Sequence, residues 1–362
     1  MRKFDYISLA CATLLLLAGL ASLYSIGSTG NQALLIHQLV ALGVGVLFFG
    51  FGYFIDYRKF ALRSGVIYAT SVILLVAVLL FGADIRGARG WITLPGFSFQ
   101  PVEFAKIALI IGLARFFSRK RGEIKDLKVL FHSAIFLVIP VLLAIAQPDM
   151  GSAIILCAIW FGMLLVTPVR KTHIVGLLIF LAILGVVGWQ TFLHDYQKQR
   201  LITFVQPEAD PQGSGYNVRQ SVIAVGSGQF EGRGLGKGYQ SHLRFLPERH
   251  TDFIFASFAE ELGFIGSLLL IAVFGLLLWR LIGLAALAPD SLGMYLIVGV
   301  AVLIAVQLFI NVGMNIGIMP VTGITLPLLS YGGSSLVSTL FLFGLVQNVY
   351  SKSREGSEVL LN

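Results

Sequence analysis

The 362 residues carry a formal net charge of +8 and are 57% hydrophobic and only 12% charged, where an ordinary soluble domain is about 25% charged. With a mean hydropathy of +0.87, the chain does not have water as its main solvent, and a soluble fold around one large core is excluded. Basic and aromatic residues are nowhere interleaved as a nucleic-acid surface would interleave them, so nucleic acid is excluded as a partner.

A helix needs about 20 apolar residues to cross a bilayer, and such stretches recur along the whole chain. Bounded by charges, Gly and Pro, the expected spans are 7–27, 33–55, 65–82, 101–117, 129–147, 150–167, 173–193, 254–280, 293–316 and 328–350. The first has a basic end and an apolar stretch like a signal peptide, but the spans that follow favour a retained helix. The expected fold is therefore an all-α integral membrane protein of about ten transmembrane helices. It reads as a single polytopic membrane domain over 1–362, with one large extracytoplasmic loop, 194–251, between spans seven and eight.

Arg2 and Lys3, Arg58, Lys59 and Arg63, Arg115 to Lys128, Arg170 and Lys171, Arg280, and Lys352 and Arg354 fall in alternate connections. By the positive-inside bias these connections and both termini are cytoplasmic. The long loop also holds seven Lys or Arg, but long loops escape that bias. Cys11 and Cys157 lie inside apolar spans, where a thiol acts as a small hydrophobe, and imply no disulfide or metal framework.

The breaks in helical pattern gather on the outer face. The first is 82–100, read as a loop. Glu103 and Lys106 then follow Pro101 at the start of span four, three residues apart and able to pair on one helix face. Asp149 sits in Gln147-Pro148-Asp149-Met150-Gly151, where it serves as an N-cap for span six, as a cavity residue, or as both. In the long loop, Val218, Val222 and Val225 recur at helical spacing, which predicts a short helix along the membrane surface. The Gly-rich run 226–238 suggests either phosphate cradling or a flexible loop; the Walker pattern fails because Gly238, not Ser or Thr, follows Lys237.

Leu246-Pro-Glu-Arg-His-Thr-Asp-Phe-Ile-Phe255 carries Asp252 into the outer mouth of span eight, as a helix cap or as a functional carboxylate. Glu260 and Glu261 follow, with no role legible from pattern. Finally Met319 to Ser335 holds two prolines and three glycines in an apolar stretch. Broken backbone at membrane depth is tolerated only where protein buries it or where it lines a cavity. Composition and spacing alone favour a transporter built on such a cavity.

Gly90-Trp91-Ile92, Phe99 to Lys106, Gln147 to Gly151, His194-Asp-Tyr-Gln197, Gly215-Tyr-Asn217, Gln220 to Gly228, Leu246 to Phe255, Ala259 to Gly263 and Leu329 to Ser334 together resemble the SEDS family (shape, elongation, division and sporulation). The motifs run in order over nearly the whole chain. Short tails and the His194 element resemble the RodA branch, of elongation, more than the FtsW or spore-specific branches.

The resemblance implies a peptidoglycan glycosyltransferase of the bacterial inner membrane, its site facing outward, which polymerises lipid II onto a nascent glycan strand. It implies as partners a class B penicillin-binding protein supplying the transpeptidase, and other membrane proteins of the elongation complex. It makes Asp252 the essential carboxylate and places Glu103, Lys106 and Asp149 in the cavity. Its motif positions add Trp91, Gln220, His250, Thr251 and Ser330 to the substrate-binding wall, and Arg89 and Arg219, beside those motifs, are assigned to the wall as positive charges. A lipid-linked precursor flippase is the alternative, and a non-catalytic scaffold the third reading.

Such chemistry needs few groups. An α-linked donor becoming a β-1,4 polymer requires one inverting displacement, so one carboxylate acts as general base on the acceptor hydroxyl. The pyrophosphate leaving group needs no acid, unlike that of an inverting glycosidase, but it does need positive charge. Lys106, Arg86, Arg89, Arg219, the basic Gly-rich loop, or a divalent cation, Mg²⁺ or Mn²⁺, are the candidates.

Overall fold

The computed structural model describes residues 3–27, 33–85, 88–94, 97–120, 127–179, 203–204, 206, 213–243 and 245–359. Helices dominate: α1 Tyr6–Gly27, α2 Ala33–Phe54, α3 Tyr57–Leu62, α4 Ser64–Phe81, α5 Pro101–Arg119, α6 Leu127–Ala146, α7 Met150–Leu165, α8 Ser214–Ser227, α9 Tyr239–His242, α10 Ile254–Ala286, α11 Ser291–Asn315 and α12 Gly333–Val359. By length and composition, six of them, α1, α2, α4, α6, α10 and α11, suffice to cross a membrane, and α7 is a shorter apolar helix. α5 and α12 coincide with expected spans but carry charges, Glu103, Lys106, Arg115 and Arg119 in α5. Of the expected seventh span, 173–179 is helical, and 180–193 lies outside the described residues, as do Arg86 and His194 to Gln197.

The segment 82–100, expected as a loop, folds instead. β1 Ala83–Ile85, β2 Ala88–Leu94 and β3 Phe97–Phe99 form an antiparallel meander in the order β1-β2-β3. Trp91 pairs with Ala83, and Ile92, Thr93 and Leu94 pair with Phe99, Ser98 and Phe97. These β-branched and aromatic residues suit a pleated, half-buried surface. The meander packs over the ends of α4, α5 and α12.

The core is built around α5 and α11, whose apolar faces meet through residues such as Leu109, Ile110, Leu296, Ile297 and Val300. α2 and α12 pair most extensively, and a Cβ at Gly344 would stand 2.2 Å from the Phe49 carbonyl, so the two backbones approach as only a small residue allows. The helix ends far from the meander are latched by polar contacts. Arg280 Nε donates to Asp5 at 2.8 Å, Tyr57 and Arg58 both donate to Asp290, and Asn348 joins Tyr57 N–H to the Tyr53 carbonyl.

α10 is one helix in sequence but broken at Gly263, whose φ of 66° and ψ of −164° leave the helical region. The loop inserted at the break is the Gly-rich run. Arg233 and Gly234 N–H donate to the carbonyls of Glu260 and Glu261 at 3.0 and 2.9 Å, while Phe264 and Ile265 N–H donate to the carbonyls of Gln229 and Phe230 at 2.7 and 3.2 Å. The loop thus satisfies the backbone groups that the break would orphan. A Cβ at Gly263 would lie 2.3 Å from Gly232 N, so no other residue fits the junction.

Candidate active site

Where α10 begins, Leu246 to Phe253 makes a tight turn. Glu248, at φ 51°, directs its carbonyl to the N–H groups of Thr251 and Phe253 at 3.1 and 3.2 Å. The N-cap position of α10 is Phe253, whose side chain cannot cap, and Asp252 stands one residue before it. Its carboxylate faces the backbone of Gly323 instead: a Cβ there would stand 3.7 Å from Asp252 Oδ2, and Gly323 has φ 73°. The two strands of irregular chain, 246–253 and 319–332, therefore lie against each other beside Asp252.

Hydrogen bonds fasten them. The Ser330 hydroxyl donates to the Thr251 carbonyl at 2.7 Å and accepts from Leu326 N–H at 2.8 Å; Tyr331 N–H donates to the His250 carbonyl at 2.8 Å. The rings of His250 and Tyr331 meet edge-on at 5.5 Å. Gln38 of α2, buried, donates to the Ser330 carbonyl and accepts from Gly332 N–H. From α11, Asn311 and Asn315 both donate to the Asp252 carbonyl, at 2.9 and 3.0 Å. These bonds satisfy backbone groups that no helix or sheet satisfies in the two segments.

The other expected residues distribute around this centre. Asp149 is the N-cap of α7, its oxygens accepting from Ser152 N–H and Oγ at 2.9 and 2.7 Å. It reaches the same broken segment through its neighbour Gly151, where a Cβ would lie 2.4 Å from the Thr322 carbonyl. Glu103 and Lys106 form a buried ion pair at 2.7 Å within α5. They join the wall through the start of α5, where Gln100 N–H donates to Ser334 Oγ, itself bonded to the Ser98 carbonyl. Arg89 is exposed and Trp91 half-buried on β2.

Arg219 and Gln220 flank the buried Ser221 on α8, and Ser221 Oγ donates to the Asn315 carbonyl at 2.8 Å. The expected helix of the long loop is thus present, and it is protein that its buried face meets, on α10 and α11. Asp252, His250, Thr251 and Ser330 are brought together directly; Asp149 adjoins the same segment through Gly151, Arg219 and Gln220 precede Ser221 on α8, and Glu103, Lys106, Arg89 and Trp91 lie on α5 and β2 beside it.

The Gly-rich run is anchored rather than loose: its Gly232, Arg233, Gly234 and Gly236 amides are donated within the protein, so these four are not open to a phosphate. Glu260 and Glu261, without a legible role in sequence, are the buried acceptors that hold this loop. Glu260 accepts from Gln240 N–H, Ser241 N–H and Ser241 Oγ at 2.8, 3.1 and 2.7 Å, and Glu261 from Ser25 Oγ and Gly236 N–H. Arg249 then donates to the Ser241 carbonyl, tying the loop to the Asp252 turn.

A cavity of about 1090 Å³ adjoins this wall between α2, α3, α4, α5 and α12. Phe48, Phe104, Ile107 and Phe341 make it apolar; Phe99 and Ser334 lie at one end, Lys59 and Arg63 at the other. Asp252 is not among its lining residues. Among the described residues no three His, Cys, Asp or Glu converge to form a metal site. A divalent cation here would thus fit only as one held largely by substrate phosphates with one or two carboxylates, an ordinary mode for Mg²⁺.

Comparison with known proteins supplies the rest. The family model for FtsW, RodA and SpoVE, described as cell cycle protein, matches residues 3–355. The peptidoglycan glycosyltransferase MrdB of Escherichia coli K12 is 41% identical over 285 residues, 79% of this chain and 77% of that protein. Stage V sporulation protein E of Bacillus subtilis 168 is 40% identical, covering 88% of this chain and 87% of its own. Among solved structures, one of a peptidoglycan synthase complex coordinating polymerization and crosslinking matches with a TM-score of 0.83 at 32% identity, over 97% of this chain and 98% of that one. The Rod shape determining protein RodA of Thermus thermophilus matches with a TM-score of 0.71 at 30% identity, over 96% of each chain.

Proposed function

This chain belongs to the FtsW, RodA and SpoVE family, and from that premise we propose that it polymerises lipid II into β-1,4 glycan strands during cell elongation, with Asp252 as the general base. That it is a peptidoglycan glycosyltransferase follows from its curated relatives. The observation that supports the catalytic reading is the placement of Asp252: a carboxylate one residue before the N-cap of α10, its peptide fixed by two buried amides, facing the broken backbone at Gly323.

In this mechanism the Asp252 carboxylate takes the proton of the acceptor sugar's 4-hydroxyl as its oxygen attacks the donor's anomeric carbon. The bond to the pyrophosphate oxygen breaks with inversion, and the undecaprenyl pyrophosphate departs as an anion. Asp252 holds the proton until solvent removes it, so no covalent enzyme intermediate forms. General base catalysis of this kind contributes roughly 10²–10⁴-fold. Lys106 is paired with Glu103 at 2.7 Å, whereas Arg89 and Arg219 are exposed and accessible as counter-charges for pyrophosphate. Mg²⁺ or Mn²⁺ bound to the phosphates would supply further positive charge. The apolar cavity beside Ser334 suits an isoprenoid tail.

We place the chain in the bacterial inner membrane with both termini cytoplasmic and Asp252 outward, beside a class B penicillin-binding protein and the other membrane proteins of the elongation complex. The direct test uses purified chain with that partner and labelled lipid II in detergent, where no barrier separates two leaflets. Glycan strands are expected there. A chain that makes none in detergent, yet moves lipid II across sealed vesicles, is a transporter.

A further inference from the structure

We infer that Asn311 and Asn315 are positioning residues for the Asp252 carboxylate, an inference that rests on Asp252 being the base. They stand one turn apart on α11 and are 0% exposed. Both side chains donate to the Asp252 carbonyl oxygen, at 2.9 and 3.0 Å, and so occupy that oxygen's acceptor capacity. Asn311 also donates to the Ile324 carbonyl at 2.7 Å. Ile324 follows Gly323, the residue whose backbone the Asp252 carboxylate faces. One amide therefore sets both the peptide that carries the carboxylate and the backbone opposite it.

Asn315 extends the same reference frame. Its Oδ1 accepts from Ala256 N–H in the first turn of α10 at 2.9 Å, and its own carbonyl accepts from Ser221 of α8 at 2.8 Å. Besides Gln307, the one further buried amide of α11, the other buried positions of that helix are mostly apolar, Leu303, Ile304 and Ile310 among them. Packing alone would be served by such residues, and a buried amide is tolerated only when its hydrogen bonds are made. Here those bonds converge on the turn bearing Asp252.

The structure contains its own control. Asn348 of α12 is a buried amide of the same kind, accepting from Tyr57 N–H at 3.0 Å and donating to the Tyr53 carbonyl at 2.6 Å. It does so at the far ends of α2 and α12, away from Asp252. A structural role and a positioning role can thus be separated by matched substitutions.

The experiment measures lipid II polymerisation per folded molecule, in the chain complexed with its transpeptidase partner, for Asn311→Leu, Asn311→Ser, Asn315→Ser and Asn348→Leu. Asn311→Ser guards against misfolding, since its hydroxyl bonds within its own helix and does not reach Asp252. Displacement of a reacting group by about 1 Å can cost roughly 100-fold, so the variants at 311 and 315 are expected to lose about 10- to 100-fold in kcat with KM for lipid II changed less than about twofold. Asn348→Leu is expected to lower the melting temperature and leave kcat per folded molecule within about twofold of wild type. The inference is overturned if the 311 and 315 variants keep wild-type kcat while Asp252→Asn is inactive, or if Asn348→Leu loses kcat as severely as they do. Should Asp252→Asn itself stay active, the general-base reading fails first, a distinct result.

Discussion

Lys106→Met isolates a carboxylate inside the bundle. In the wild type, Lys106 Nζ lies 2.7 Å from Glu103 Oε1, and the side chains are only 3% and 8% exposed. Ile107, Leu109 and Ile110 of the same helix are equally buried, so little water can replace the lost amine. Removing one partner of a buried pair costs about 3–5 kcal/mol, whereas replacing both by neutral groups is often near neutral. Lys106→Met and Glu103→Gln should therefore each lower the melting temperature of the detergent-purified chain, and the double variant should recover most of the loss. The coupling from the four proteins should therefore exceed either single loss. Because the pair is so little exposed, added salt should hardly change it. Strictly additive losses, or a coupling that fades with salt as a surface pair's does, would show that the pair neither interacts nor is shielded as described.

Gly263→Ala should destabilise the chain by at least about 2 kcal/mol, because φ 66° with ψ −164° is a backbone region essentially reserved for glycine, costing roughly 1–3 kcal/mol, and the added Cβ would lie 2.3 Å from Gly232 N; an unchanged melting curve would mean the helix break is not as drawn. Gly323→Ala, at φ 73° and 3.7 Å from Asp252 Oδ2, should slow polymerisation while partner binding persists, and an unaffected rate would argue against a substrate hydroxyl lying there. Burial opposes ionisation of Asp290, but hydrogen bonds from Gly293 N–H, Tyr57 and Arg58 hold its carboxyl below the usual carboxylate value. Its stabilising contribution is then fully present above about pH 4, the unfolded value, and is lost as pH falls through the lower folded value. Asp290→Asn should accordingly lower the melting temperature at pH 7 and lose that difference in strong acid; a gap that stays constant down to pH 3 would contradict the linkage.

The helices were legible because apolar runs of bilayer length leave few alternatives, and the expected spans match α1, α2, α4 to α7 and α11 within a few residues, while α10 and α12 run on past the expected 280 and 350 to Ala286 and Val359. The last span starts at Gly333 rather than 328, since Pro320 and Pro327 keep the preceding chain out of a helix. The meander was missed although Trp91 to Leu94 and Phe97 to Phe99 have strand composition, because three short strands carry too little periodicity to compete with a loop reading. Asp149 was legible as a cap from its Pro and Gly context. Whether Asp252 capped a helix depended on where α10 begins, a boundary that sequence sets poorly.

Glu260 and Glu261 could not be read because their partners are distant in sequence, Ser25 coming from α1 and Gly236, Gln240 and Ser241 from the loop that enters the helix break and the short helix after it. Asn311 and Asn315 did leave a signal, two amides four residues apart in an apolar span, but a survey of ionisable side chains alone passes over it. Gln38 was hidden for the same reason.

The central claim is that Asp252 removes the acceptor proton, and Asp252→Asn tests it with the least disturbance, because the amide keeps the side chain's shape and the Asn311 and Asn315 bonds go to the backbone. The measurement is the initial rate of lipid II polymerisation by the purified chain and its partner in detergent, with melting temperature and partner retention recorded for the same preparation. The account predicts a loss of about 100-fold or more in a protein that melts and binds as wild type does, whereas glycan strands made at near-normal rate by that variant would remove Asp252 from the reaction.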